Sequence, residues 1–188
     1  LRALCALFLA VSASAVAADP VEDFYKDRQI NLVLGFSPGG GFDAYARLKE
    51  QAETNQPPKP ADNFRWRYYG LFYVAPAQDS YMCRLRIPNG ILTHWQLACL
   101  ADLAEKFGGG YSHVTTRANF QIREIEPKNA IDLLEGILDL GLSSRGSGAD
   151  NIRNVTGTPT AGIDPQELLD TRPYAKQWHH HILNERGL

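Results

Sequence analysis

Two apolar helical periods, each fenced by glycine or proline and flanked by short β-like runs, constrain the fold of this 188-residue chain more than any other feature. The run HWQLACLADLAEKF, from His94 to Phe107, places Leu97, Leu100, Leu103, Ala104 and Phe107 at helical spacing. Thr93 stands where an N-cap belongs, and Gly108 to Gly110 stop the period. The second run, KNAIDLLEGILDLG, follows Pro127 and puts Ile131, Leu134, Ile137 and Leu138 on one face before Gly141 ends it. Around these helices, SYMCRLRIP alternates, with Met82, Leu85 and Ile87 set against Arg84 and Arg86. YSHVTT and NFQIREI read as two more strands, with Gln121, Arg123 and Ile125 opposite Phe120 and Ile122. IRNVTG reads as a last short strand after the loop SSRGSGADN.

From Tyr81 onward the order is strand, helix, strand, strand, helix, strand. This βαββαβ order is the ferredoxin-like split βαβ unit, an α+β fold. Upstream, FDAYARLKEQAE reads as a helix that TNQPPKPADN stops, which makes those prolines the best domain boundary. The aromatic run FRWRYYGLFYVAP, Phe64 to Pro76, reads as a strand. The tail DPQELLDTRPYAKQWHHHILNERGL reads as two short helices broken at Arg172-Pro173. Gln29 to Phe36 reads as a buried strand.

The first residues have the shape of a secretory leader: Arg2, an apolar run from Ala3 to Val11, and the small-residue pattern Ala15-Val16-Ala17. That apolar run is too short to span a bilayer. The three glycines Gly39 to Gly41 invite a nucleotide-loop reading, but no Lys-Ser/Thr follows them and no second strand completes a βαβ unit. Their amides suit a carboxylate instead.

A net charge of −2 gives no argument for a nucleic-acid partner or an anionic membrane surface. Cys5, Cys83 and Cys99, the three cysteines, make neither a disulfide framework nor a four-thiolate cluster. The adjacent His179, His180 and His181 point in different directions on a helix, so no metal ligand set is assigned.

Against that balance, the arginines are distributed suggestively. Arg84 and Arg86 share one strand, Arg117 lies in the turn between two strands, Arg123 lies beyond it, and Arg145 and Arg153 flank the glycine-rich loop. Planar guanidinium groups bind carboxylates and small oxyanions through paired hydrogen bonds. Residue chemistry alone leaves two alternatives open: a site for a multiply anionic ligand, or a solvated basic face.

The motifs FRWRYYGLF, YMCRLRIPNGILT, GGGYSHVTTRANFQIREI, GLSSRGSGADNIRNVTGTPTAGIDP and ELLDTRP, in that order, resemble the N-terminal half of nitrite/sulfite reductases. The resemblance implies a siroheme and 4Fe–4S enzyme that takes electrons from ferredoxin or a similar donor. The implied reaction is the six-electron reduction of nitrite to ammonia or of sulfite to sulfide. On the matching motifs, Arg84 and Arg153 correspond to arginines that contact substrate. Arg86, Thr115, Arg117, Gln121 and Asn154 correspond to positions that hold siroheme carboxylates or line the cofactor. His113 stands where some sulfite reductases carry an arginine, which leans toward nitrite.

The family's cluster cysteines and active-site lysines belong to its C-terminal half. The expectation is therefore a partial siroheme site, inactive alone, that needs a missing C-terminal half. A second resemblance covers DPVEDFYKDRQINLVLGFSPGGGFDAYARL, which is similar to the start of TctC-type substrate-binding proteins of tripartite tricarboxylate transporters. It implies a periplasmic carboxylate receptor as an alternative to the reductase, and a third reading is a stand-alone anion-binding module. The expected organisation is a signal peptide at 1–18, a receptor-like segment at 19–48, and a reductase half-domain with the start of a siroheme domain at 49–188. Localisation is divided: cytoplasmic by the reductase resemblance, periplasmic by the leader.

Overall fold

The computed structural model describes residues 41–74, 79–149 and 151–185. The leader, the Gln29–Phe36 strand and most of the glycine loop lie outside the described residues.

Helix α1 (Gly41–Thr54) begins at the last of the three glycines. Asp43 in its first turn accepts from Arg47 Nε at 3.1 Å, a pairing one helical turn apart. Ala44 and Leu48 are buried in the main core. Helix α2 (Pro60–Tyr68) follows with proline in its first turn. The reading of Phe64 to Pro76 as one strand is corrected here: Phe64 to Tyr68 are helical, and strand β1 covers only Leu71–Val74. Aromatic residues favour strands, but Trp66 gains more by burial in a helix. Its indole Nε1 donates to Gln51 Oε1 at 3.0 Å, and the same oxygen accepts from Tyr81 Oη at 3.4 Å.

The sheet contains β1, β2 (Ser80–Arg84), β3 (Ser112–Val114) and β4 (Phe120–Ile125), in the order β1-β2-β4-β3. Every pairing is antiparallel. The α+β ferredoxin-like unit is therefore present, but IRNVTG is not its fourth strand. Residues 152–157 form no strand, and β1 occupies the edge beside β2. The reason is local: β1 and β2 are close neighbours in the chain, whereas Arg153 O is taken by the Asn119 side chain and Val155 O by Asn89 N.

Parity along β2 also differs from the alternation expected. Tyr81, Cys83, Leu85 and Ile87 face the core, while Met82 shares the opposite side with Arg84 and Arg86. In β4 the register slips between the pairs Cys83–Ile122 and Tyr81–Ile125. This bulge, with Glu124 at φ 58°, returns Ile125 to the core side beside Ile122 instead of leaving it with Gln121 and Arg123.

Helix α3 (His94–Phe107) opens with a reciprocal cap. Gln96 N donates to Thr93 Oγ1 at 3.3 Å and Thr93 N donates to Gln96 Oε1 at 3.0 Å, an arrangement worth about 1 kcal/mol. Helix α4 (Ala130–Asp139) follows a 3₁₀ turn at Pro127–Asn129. Leu100 and Ala104 of α3 join Leu133, Leu134 and Ile137 of α4 in one core beneath the sheet. Each fully buried leucine or isoleucine there contributes about 1.5–3 kcal/mol. Gly136 permits the close crossing, since a Cβ at that position would stand 2.7 Å from Leu103 Cδ2. The outer ends of the apolar faces reach solvent: Leu97 is 49% and Leu138 53% exposed.

Helix α5 (Arg172–Asn184) is a single helix with Pro173 in its first turn. The expected preceding helix is absent, and residues 164–170 form turns, since the proline opens the helix here and does not divide one. His179 faces inward, while His180 and His181 are exposed.

Candidate anion-binding site

The sheet face away from α3 and α4 carries a row fixed by strand register. Arg84 of β2 stands opposite Gln121 of β4, which stands opposite His113 of β3. Gln121 is buried. With its amide oxygen turned to Arg84, it accepts from Arg84 Nε at 3.0 Å and from Nη2 at 3.2 Å. The Arg84 guanidinium also lies over the Phe72 ring, 4.7 Å from its centroid. Two neighbours thus hold the group without neutralising it.

Arg153 is brought to this row by side-chain staples. Asn119, only 2% exposed, accepts from Ile87 N at 3.2 Å through Oδ1 and donates to Arg153 O at 3.4 Å through Nδ2. Asn154 Nδ2 donates to Ile87 O and to Arg117 O, both at 2.8 Å. Asn89 N donates to Val155 O at 2.8 Å. One turn is thereby tied to the end of β2, to the β3–β4 loop and to the segment carrying Arg153. Thr115 closes the β3–β4 loop, its Oγ1 accepting from Asn119 N at 3.1 Å.

The electrostatic result is convergence of like charge. Burial lowers the Arg84 guanidinium below its ordinary range, and Arg153, Arg117 and Arg123 lower it further. The ion pairs found among the described residues all lie elsewhere, on Arg47, Arg65, Lys128 and Arg172. Arg123 Nε is buried with no partner among the described residues. Four guanidiniums that repel one another, one with a donor left unsatisfied, suit a ligand with several carboxylates or an oxyanion.

The structure therefore brings together Arg84, Arg117, Gln121 and Arg153, with Thr115 and Asn154 bracing the loops. It adds Arg123, one of the distributed arginines but not among those matched to the site, and Asn119, a buried turn residue with no signal in the sequence. Arg86 stands apart. Its side chain is 1% exposed, and Nη1 reaches Gly146 O at 3.4 Å under the 143–147 segment. Arg145 is engaged elsewhere: Nε donates to Tyr68 Oη at 3.3 Å and Nη2 to Leu183 O at 3.3 Å. Cys83 and Cys99 are free thiols, and burial pushes the Cys83 thiol up to about 12.

Residues 75–140 match the nitrite/sulfite reductase ferredoxin-like half domain. The chain is 43% identical over 153 residues to a ferredoxin–nitrite reductase of Leptolyngbya laminosa, covering 80% of this chain and 29% of that protein. It is 41% identical to the chloroplastic ferredoxin–nitrite reductase of Arabidopsis thaliana, covering 74% of this chain and 24% of that one. These relatives are oxidoreductases, and the chain spans less than a third of the length of either. Among solved structures, the Mycobacterium tuberculosis NirA protein superposes with a TM-score of 0.65 at 22% identity, over 72% of this chain and 28% of that one. That likeness concerns the fold.

Proposed function

We propose that this chain is the siroheme- and substrate-facing N-terminal portion of a ferredoxin-dependent nitrite reductase. The observation that carries the reading is the convergence of Arg84, Arg117, Arg123 and Arg153, none of which is ion-paired among the described residues. The similarity to ferredoxin–nitrite reductases supports nitrite in preference to sulfite as substrate.

The donor set suits siroheme. Its carboxylates meet several guanidiniums, and the unsatisfied Arg123 Nε supplies a buried N–H for one of them. Arg117 and Arg123 would hold carboxylates, with Gln121, Thr115 and Asn154 fixing the surrounding loops. When bound, siroheme supplies an iron that takes the substrate, and a 4Fe–4S cluster held by further protein supplies electrons from ferredoxin. Arg84 and Arg153 bind the nitrite anion and favour its entry by charge. They also stabilise negative charge and orient water for proton delivery as N–O bonds break. Gln121 and Phe72 keep Arg84 in place, so its donors are aimed before substrate arrives.

Exposed Ile152, Ile163, Leu168, Leu169 and Trp178 are apolar side chains that the C-terminal half of such an enzyme would have available to cover. The division at 1–18, 19–48 and 49–188 remains our proposed organisation, although α1 runs through residue 48 without a break.

A chimaera tests the reading. This chain replaces the matching segment of the Leptolyngbya laminosa enzyme, and nitrite consumption with reduced ferredoxin is measured. Activity is expected, and Arg153→Gln lowers kcat/KM by roughly 10²–10³-fold. A chimaera that folds and loads its cofactors yet reduces no nitrite sinks the proposal.

A further inference from the structure

A second concentration of positive charge lies away from the arginine row. A cleft of about 670 Å³ opens between the 3₁₀ turn at Pro88–Gly90, the 141–143 segment and α5. Arg86 lines it at 1% exposure, and its Nε and Nη2 have no partner among the described residues. His179, 6% exposed, lines it with Nδ1 also unpartnered.

A buried guanidinium with two unpaired donors is costly, and the cleft supplies nothing to satisfy it. Asp170, the carboxylate in the lining, is committed to Arg172, with Nε to Oδ1 at 2.9 Å and Nη2 to Oδ2 at 2.8 Å. Gln96 is spent on Leu140 O at 2.9 Å. Lys176, exposed on the rim, adds a second positive charge one helical turn from His179. The remaining wall is largely apolar, including Ile91 and Leu142. Gly146 keeps the pocket for the guanidinium open: a Cβ there would stand 2.8 Å from Arg86 Nη1.

We propose that this cleft is a second anion site, taking a phosphorylated small molecule with an apolar body. The phosphate meets Arg86 from within and Lys176 from the rim, and the body lies along Ile91 and Leu142. The volume exceeds what an inorganic anion fills, so the body contributes to affinity. Burial and the neighbouring Arg86 and His180 hold His179 well below its ordinary range, which leaves it a neutral hydrogen-bonding group beside the phosphate.

Titration of the 188-residue chain with phenyl phosphate, read by the ¹⁵N-labelled arginine side chains, tests this. A saturable shift of the Arg86 Nε–H signal is expected, with affinity about tenfold above that for inorganic phosphate. Arg86→Gln removes the binding. Because that variant risks the fold, Lys176→Glu on the exposed rim provides the second arm, with affinity lowered about tenfold and an unchanged melt. No saturable shift at Arg86, or an unchanged affinity in Lys176→Glu, overturns the proposal.

Discussion

At the scale of single residues, the site is a balance between repulsion and staples. Arg84 is held by Gln121 and Phe72 but pushed by three other guanidiniums. A polycarboxylate such as citrate should therefore raise the Tm of the chain, by the equivalent of about 1.4 kcal/mol at ten times its Kd. In Arg84→Gln the increment shrinks by at least half, while the Tm in dilute buffer holds or rises because repulsion is relieved. An undiminished increment in the variant counts against a shared anion site. Asn119 makes the complementary case. Asn119→Ala leaves the Ile87 N–H without its acceptor and should cost about 1–3 kcal/mol in urea denaturation. It should also weaken citrate binding, because the segment carrying Arg153 loosens. Full stability in the variant contradicts the staple. The arginines were legible from sequence because strand parity and loop placement put them near one another. Asn119 was not, since a buried asparagine that clamps two backbone segments looks like any turn residue until the chain is folded.

Elements were legible where the signal is local. The α3 cap, its glycine stop and the α4 period follow from spacing; the α3 boundaries agree with the structure, while α4 opens only at Ala130, after a 3₁₀ turn, and closes at Asp139. Two misreadings came from tertiary contacts. Burial of Trp66 against Gln51 made a helix of an aromatic run, and the asparagine staples left 152–157 without a ladder. A third came from the β4 bulge, which no alternation rule foresees. Helix α5 carries a pH prediction. Burial, Arg86 and His180 depress the His179 imidazole to about 4 from an ordinary 6.5. The unfolded chain then takes up a proton at that position, below pH 6.5, that the folded chain refuses until about pH 4. The stability contribution of neutral His179 is complete above this window and is lost as pH falls through it. His179→Gln should flatten the decline in denaturation midpoint relative to the parent across the window. Parallel profiles for the two proteins contradict a buried neutral His179.

For the whole molecule, the α+β class was legible and the completed site was not. Strand order came from a run of local periods, but the arginine row depends on which strands pair and on what occupies the edge beside β2. The same architecture leaves one sheet face charged and apolar side chains exposed, Trp178 of α5 among them. The most direct measurement is a siroheme absorption titration of the chain and of the Arg117→Gln/Arg123→Gln double variant. The account predicts a saturable spectral shift for the parent chain, with affinity at least about 100-fold weaker in the double variant, from two lost charge-assisted contacts. Equal affinity in the two proteins, or no binding to the parent, contradicts it.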